Sequence, residues 1–257
     1  MGKAKTTSTV DSADIVWATR HTKRRNDYML QTYLQPLLTS NKTVITSLSL
    51  PASDWIWEKG ITDFAEEKKF TFYGVESNPK VHGPAAVKAA QLSKQRKGRA
   101  TFTLFPQEVD WKKAVTTHKA LPEFDIVYPD YMGVWRESAV EETIDTFSSD
   151  CLLASKGFLI LTIGLTRNRS DWRTDAIEAG EHSNIFVLDD QEDARGSNPG
   201  RSQEVVPQAK GIAEQIMGIA EDGGYPLKAY PIHIYYNSTS RAKECLPEAS
   251  FCFRRTT

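Results

Sequence analysis

The sequence predicts an α/β fold: a seven-stranded, mostly parallel sheet with helices on both faces, an antiparallel C-terminal strand pair and an N-terminal helical extension. Three observations carry this. Short apolar strand patterns alternate with helical patterns from residue 42 to residue 165, the rhythm of successive βαβ units. The segment GFLILTIGL (157–165) is almost wholly apolar, as a central strand buried on both faces must be. The last two strand-like segments alternate and are joined by a polar loop, as an antiparallel pair would be.

Composition sets the bounds. The chain has 257 residues, 40% hydrophobic and 25% charged, enough to bury a core without covalent staples. Lys plus Arg (32) balance Asp plus Glu (33), so net charge argues neither for nor against a nucleic-acid partner. The three cysteines, Cys151, Cys245 and Cys252, are odd in number and show no CxxC spacing. That pattern indicates neither a disulfide framework nor a zinc site, and it fits a reducing, cytoplasmic setting. No apolar run reaches the ~18 residues of a membrane span, so no membrane association is expected. The start, MGKAKTTSTV, has no apolar signal-peptide core. Its Gly2 and Thr6 match a loose myristoylation pattern, but a polar, loose start is the plainer reading. The five histidines (His21, His82, His118, His182, His233) are scattered without ligand spacing, so no metal site is expected.

Residues 1–40 read as an N-terminal extension, loose at first and then an amphipathic helix over 20–40. Met29, Leu30, Tyr33, Leu34, Leu37 and Leu38 recur at helical spacing there. Residues 41–257 read as one domain. Strands are expected at 42–51, 70–77, 99–106, 124–129 and 157–165. The intervening helices are 52–69, 78–98 and 109–118, followed by one that Ser138 and Glu141 open with capping-box spacing. The run 166–206 is rich in Asn, Asp, Arg, Ser and Gly and reads as a long loop. A helix over 207–224, closed by Gly223 and Gly224, leads to the final pair at 225–237 and 248–255.

Open α/β sheets bind ligands at the carboxyl ends of their strands, so the turn after each strand deserves weight. After the first comes LSLPASDW. It holds no G-x-G-x-x-G and no P-loop; Leu50, Pro51, Ala52 and Ser53 line the turn, and Asp54 is placed to cap the next helix. The second strand ends in Glu76 and Ser77. An acid there accepts hydrogen bonds from a ribose diol; the competing reading has Glu76 or Asn78 capping the helix that starts at Pro79. Gln107 and Glu108 follow the third strand, placed for an adenine edge or merely for a helix start. After the fourth comes YPDYMGVW, with more polar and aromatic side chains than a turn needs.

This series resembles the class I, Rossmann-like S-adenosylmethionine-dependent methyltransferases: five parallel strands, an acid ending the second, a polar-aromatic cluster ending the fourth, and a closing antiparallel pair. The likeness is architectural and spans residues 40–257. Amino-methyltransferases of the class end the fourth strand in [DNS]-P-P-[YF]. Here Tyr128-Pro129-Asp130-Tyr131 keeps one proline and the final aromatic, with Tyr128 and Asp130 in place of the polar residue and the second proline. The glycine-rich first loop of the family is also missing, since no glycine follows the first strand until Gly60.

The resemblance implies S-adenosylmethionine as cofactor, held by the Leu50–Ser53 turn, Glu76, Ser77, Gln107 and Glu108. Asp130, Tyr131 and Tyr128 would face the acceptor, with Trp135 stacking on it. Basic runs occur at Lys23 to Arg25, Lys94 to Arg99, Arg167 to Arg173 and Arg254-Arg255. Of these, Arg167, Arg169 and Arg173 follow the fifth strand on the site's edge, so the expected acceptor is a nucleic acid. The alternative of a different class is a methyltransferase-like binding module without catalysis, which the glycine-free first loop favours.

Overall fold

A computed structural model describes residues 30–117, 123–135, 139–141, 143, 147, 152–165, 187–189, 202–238 and 245–257. In chain order its elements are α1 (Gln35–Leu38), β1 (Val44–Ser49), α2 (Ile56–Phe64), β2 (Lys69–Gly74), α3 (Pro79–Gln95), β3 (Ala100–Leu104) and α4 (Trp111–Thr117). These are followed by β4 (Phe124–Tyr128), β5 (Asp130–Val134), β6 (Leu153–Gly164), β7 (Val187–Asp189), α5 (Ser202–Asp222), β8 (Leu227–Ala229), β9 (Ile232–Ser238) and β10 (Cys245–Arg255). The strands form one sheet in the order β3-β2-β1-β4-β6-β10-β9-β7, with β5 paired to β6 and β8 to β10. Strands β3, β2, β1, β4 and β6 are mutually parallel. β10 runs against β6 on one side and β9 on the other. The seven expected strands correspond to β1, β2, β3, β4, β6, β9 and β10, and the arrangement is the one the methyltransferase resemblance implies.

Several boundaries differ from expectation, each for a local reason. The fourth strand does not stop at Pro129. Val127 pairs with Leu159 and Asp130 with Thr162, the same offset, so the chain continues beside β6 and the proline costs only a ladder donor. The register slips later, between Asp130 and Val134. The closing pair does not lie at the sheet's end: β10 is inserted between β6 and β9, and β7, from within the expected loop, forms the edge. The expected strand over 225–237 is divided into β8 and β9, with Tyr230 N–H donating to the Cys252 carbonyl at the break. α5 begins one turn before Pro207, which it accommodates near its start. The described part of the N-terminal helix turns at Leu34 before restarting at Gln35, ahead of Pro36.

Strand alternation sends side chains to two apolar layers. On one face Leu30, Leu34, Trp55, Trp57, Ile61, Ala89 and Leu92, from the helices of the first half and the loop after β1, cover Ile45, Phe70, Phe72, Phe102, Ile126 and Tyr128. On the other, Ala114, Val140, Phe147 and the α5 stripe Val205, Ala209, Ile212 and Ile216 cover Leu48, Val127, Leu161, Ile163 and Phe251. Tyr33 ties the first helical turns to β9 through a 3.0 Å hydrogen bond to His233 and a stacked contact with Tyr230. Burial raises the phenols of Tyr33 and Tyr230 and the thiol of Cys252 above their ordinary pKa values, so these three groups are neutral here.

At the amino edge, Asp125 joins β1 to β4. Its buried carboxylate accepts from Lys42 Nζ at 2.6 Å, Thr46 N at 2.9 Å and Thr46 Oγ1 at 3.1 Å. Charged hydrogen bonds to a buried group are among the stronger single contributions. Asp125→Ala is therefore expected to lower unfolding free energy by about 2–4 kcal/mol in denaturant titration.

Candidate functional site

The strand order reverses between β1 and β4, because the chain builds outward through β2 and β3 and then returns to the other side of β1. In an open sheet the crevice at such a reversal, at the carboxyl ends of the strands, is the place for a ligand. The register brings four strand ends level there. Ser49 pairs with both Gly74 and Tyr128, and Gly74 pairs with Leu104. The ladder runs one residue further: Leu50 N–H donates to the Tyr128 carbonyl (3.3 Å), Val75 N–H to Ser49 (3.0 Å) and Phe105 N–H to Gly74 (2.9 Å). Leu50, Glu76, the turn after Phe105 and Asp130 are thereby carried to one edge.

The first loop has no glycine, yet its backbone behaves as though it had. Ala52 (φ 49°) and Trp55 (φ 53°) are both left-handed, a conformation that costs a residue with a side chain roughly 1–2 kcal/mol. For a residue as bulky as tryptophan it is an outlier. Trp55 is held there on all sides. Its indole is wholly buried, donates from Nε1 to the Ala85 carbonyl at 3.0 Å and meets Phe102 edge to face at 5.5 Å. Gly74 makes room for it, since a Cβ on Gly74 would come within 2.5 Å of the Trp55 ring and 2.7 Å of Pro51. Trp55, not Asp54, precedes α2, and no side chain caps that helix; Asp54 accepts from the neighbouring Ser53 hydroxyl instead. Beneath the loop the buried Glu58 carboxylate accepts from Ser49 Oγ at 2.5 Å.

Glu76 sits half-buried at the tip of β2, and its Oε1 accepts from Asn78 N–H at 2.7 Å. Asn78 is the cap of α3, its side chain accepting from Lys80 N–H. Asn78 therefore caps the helix, as the second reading of this turn expects, and the Glu76 carboxylate is oriented by the turn that follows it. Ser77, Gln107 and Glu108 are exposed at the same edge. Sequence reasoning missed His82, whose Nε2 donates to the Phe105 carbonyl at 2.8 Å and bridges α3 to the end of β3. Only its position one turn into α3 signalled it.

The fourth-strand cluster separates into two groups. Tyr128 is in the core, edge to face with Trp57 at 4.9 Å, its hydroxyl 3.2 Å from Thr162 Oγ1, which in turn lies 3.2 Å from Ser250 Oγ. This buried chain leaves its hydroxyl no access to an acceptor. Trp135 is also buried, donating from Nε1 to Gln215 Oε1 on α5 at 2.7 Å, so it is a packing residue and not an exposed stacking platform. Asp130 remains partly exposed, two residues along from Tyr128 and hence on the same side of the strand. Tyr131 lies in β5, at the site's edge.

Among the basic residues, Arg96 pairs with Asp63 at 2.6 Å and Arg99 donates to the Thr62 carbonyl. Arg254 and Arg255 lie over Phe158 and Tyr225. Arg99 precedes β3 and Arg255 ends the antiparallel β10, which places both at the opposite, amino edge. Arg167, Arg169 and Arg173 lie outside the described residues. No group of three or more His, Cys, Asp or Glu side chains that could hold a metal occurs among the described residues. No described helix is long and apolar enough to cross a membrane.

No protein-family model and no curated protein sequence matches this chain. Solved structures do. Precorrin-6y C5,15-methyltransferase from Geobacter metallireducens is 12% identical over 91% of this chain and 90% of that one, with a TM-score of 0.43. The N-methyltransferase NodS from Bradyrhizobium japonicum, solved with S-adenosyl-L-homocysteine, is 11% identical over 93% and 90%, with a TM-score of 0.47. TYW2 from M. jannaschii, solved with AdoMet, is 14% identical over 95% and 80%, with a TM-score of 0.46. At TM-scores below 0.5 these likenesses do not bear on the chemistry of this chain, which its own residues must carry.

The loop strain is directly testable. Ala52→Gly is expected to raise stability by about 1 kcal/mol by relieving the left-handed alanine. Gly74→Ala is expected to lower it by about 1–3 kcal/mol by driving a methyl into Trp55 and Pro51. Equilibrium urea unfolding of both variants measures the two shifts; a neutral Gly74→Ala would contradict the packing described here.

Proposed function

We propose that the chain is an S-adenosylmethionine-dependent methyltransferase whose site is the carboxyl edge between β1 and β4. One observation carries the reading: the loop after β1 takes left-handed, glycine-like turns without glycine, next to an acid fixed at the tip of β2. Strained backbone persists only where its surroundings enforce it, and it concentrates at ligand sites. A strand-tip acid beside such a loop is the arrangement that holds a ribose diol.

The residues present fit the cofactor. Glu76, whose carboxylate is oriented by the next turn, would hold the ribose, the Leu50–Ser53 turn the amino-acid portion, and Gln107 with Glu108 the adenine. The cofactor supplies an electrophilic methyl group. The chain's own part is to hold the acceptor in line with it, for which Asp130 is the positioned carboxylate: it orients the acceptor by hydrogen bonding and takes its proton. Orientation alone is worth up to ~7–11 kcal/mol of barrier when the bound geometry is near-attack. Tyr131 follows Asp130 as the aromatic against the acceptor, and the acceptor in this reading is a nucleic acid. A cytoplasmic setting accords with the cysteine pattern.

The second reading, a binding module without turnover, is favoured by Trp55, whose indole fills the space over Gly74. Calorimetry with S-adenosylhomocysteine separates the two. The enzyme reading predicts saturable binding that Glu76→Ala weakens by at least tenfold, whereas Asp130→Ala leaves binding intact and abolishes methyl transfer. No heat of binding at millimolar ligand would sink the proposal. For the acceptor, a salt titration of single-stranded nucleic-acid binding is expected to show log K falling linearly with log salt, by about 0.7 per phosphate contacted. A flat response would remove nucleic acid as acceptor.

A further inference from the structure

Buried polar groups in folded proteins nearly always find partners, and leaving one unpaired costs roughly 1–3 kcal/mol. Gln208 departs from this completely. Its side chain is fully buried, and among the described residues neither its amide nitrogen nor its amide oxygen has a hydrogen-bond partner. It sits early in α5 among Val205, Ala209 and Ile212, on the stripe that packs toward the sheet. A solvent-facing glutamine would need no explanation; one placed in an apolar stripe does.

The placement of α5 supplies the explanation. The helix leads back to β8 and β9, so it runs against the parallel strands and starts at their carboxyl edge, where the candidate site lies. Gln215, seven residues on and so on the same side of the helix, accepts from Trp135, the residue that follows β5. Gln208 is thus about 10 Å further toward that edge along the same stripe. Trp111, which opens α4 on the same face of the sheet, also carries a buried indole N–H without a partner among the described residues. Pro207 immediately precedes Gln208 within the helix. It removes one of the backbone hydrogen bonds that join the first turn to the rest of α5, which leaves that turn less firmly held beside Gln208.

We infer that Gln208 is the residue that recognises the acceptor, pairing its amide with a nucleobase edge that offers an adjacent donor and acceptor. A carboxamide carries one donor and one acceptor side by side and makes such bidentate pairs with bases. The inference rests on the methyltransferase reading above and adds to it the group that selects the substrate. Gln208 is a specificity residue here and takes no part in the chemistry.

The test uses the full chain and two apolar replacements, Gln208→Leu and Gln208→Met, the second keeping side-chain length. Each variant is compared with the parent in melting temperature, in S-adenosylhomocysteine binding, and in transfer of tritiated methyl to nucleosides and to random-sequence single-stranded DNA and RNA. The inference predicts that, without ligand, at least one variant melts about 2–4 °C higher, because an unpaired amide has been removed. It also predicts unchanged S-adenosylhomocysteine affinity and a KM for the acceptor raised roughly 5- to 100-fold with kcat nearly held. Lower melting temperatures in both variants would show that the amide is structural, and an unmoved KM would show that it does not touch the acceptor; either overturns the inference. A parent chain that binds S-adenosylhomocysteine but methylates neither nucleosides nor oligonucleotides overturns base recognition alone. A parent that binds no S-adenosylhomocysteine overturns the methyltransferase reading itself. Transfer to nucleosides as readily as to oligonucleotides supports base recognition and removes the polymer as the required acceptor.

Discussion

The pairing of β1 with β4 is the contact on which the rest of the structure depends. β1 is the strand from which the sheet is built in both directions, and its junction with β4 is where the chain returns after laying down β2 and β3. Two kinds of force hold this junction. At the amino edge, a buried carboxylate, Asp125, gathers Lys42 and Thr46. At the carboxyl edge, the ladder extends through Leu50 to the Tyr128 carbonyl. The two ends of the junction differ: the amino end is closed by the paired Asp125, whereas the carboxyl end carries the strained loop, the oriented Glu76 and the partly exposed Asp130.

The first loop shows how packing can replace a glycine signature. Glycine would permit left-handed turns at no steric cost. Here Ala52 and Trp55 adopt them because the Trp55 indole is fixed by Gly74, Ala85 and Phe102. The glycine that matters here is on the neighbouring strand, Gly74, where it makes room for the ring. A loop of this kind is expected to be stiffer than a glycine-rich one, because its shape is set by a buried side chain.

Much of the fold was legible from periodicity, because apolar alternation and the all-apolar GFLILTIGL encode burial directly. The succession of strands along the chain followed from the same pattern, and Glu76 was legible as the residue at the tip of the second. What was not legible depended on contacts distant in sequence. YPDYMGVW looked like a crowded turn, but most of it is strand, since its partner β6 is long enough to continue past Pro129. Its aromatics looked like a binding platform, yet Tyr128 packs under Trp57 and Trp135 is taken up by Gln215, eighty residues away. Gln208 could not be singled out at all, because an amide inside a helical stripe reads as surface until its burial is known.

The central claim is that the carboxyl edge between β1 and β4 binds S-adenosylmethionine. Hydrogen–deuterium exchange with and without S-adenosylhomocysteine tests it most directly, since backbone amides report where a ligand sits. The account predicts added protection in residues 50–55 and 75–78, with the amino-edge segments 42–46 and 97–100 unchanged. Protection confined to any other part of the chain, or none with the ligand in excess, would contradict it.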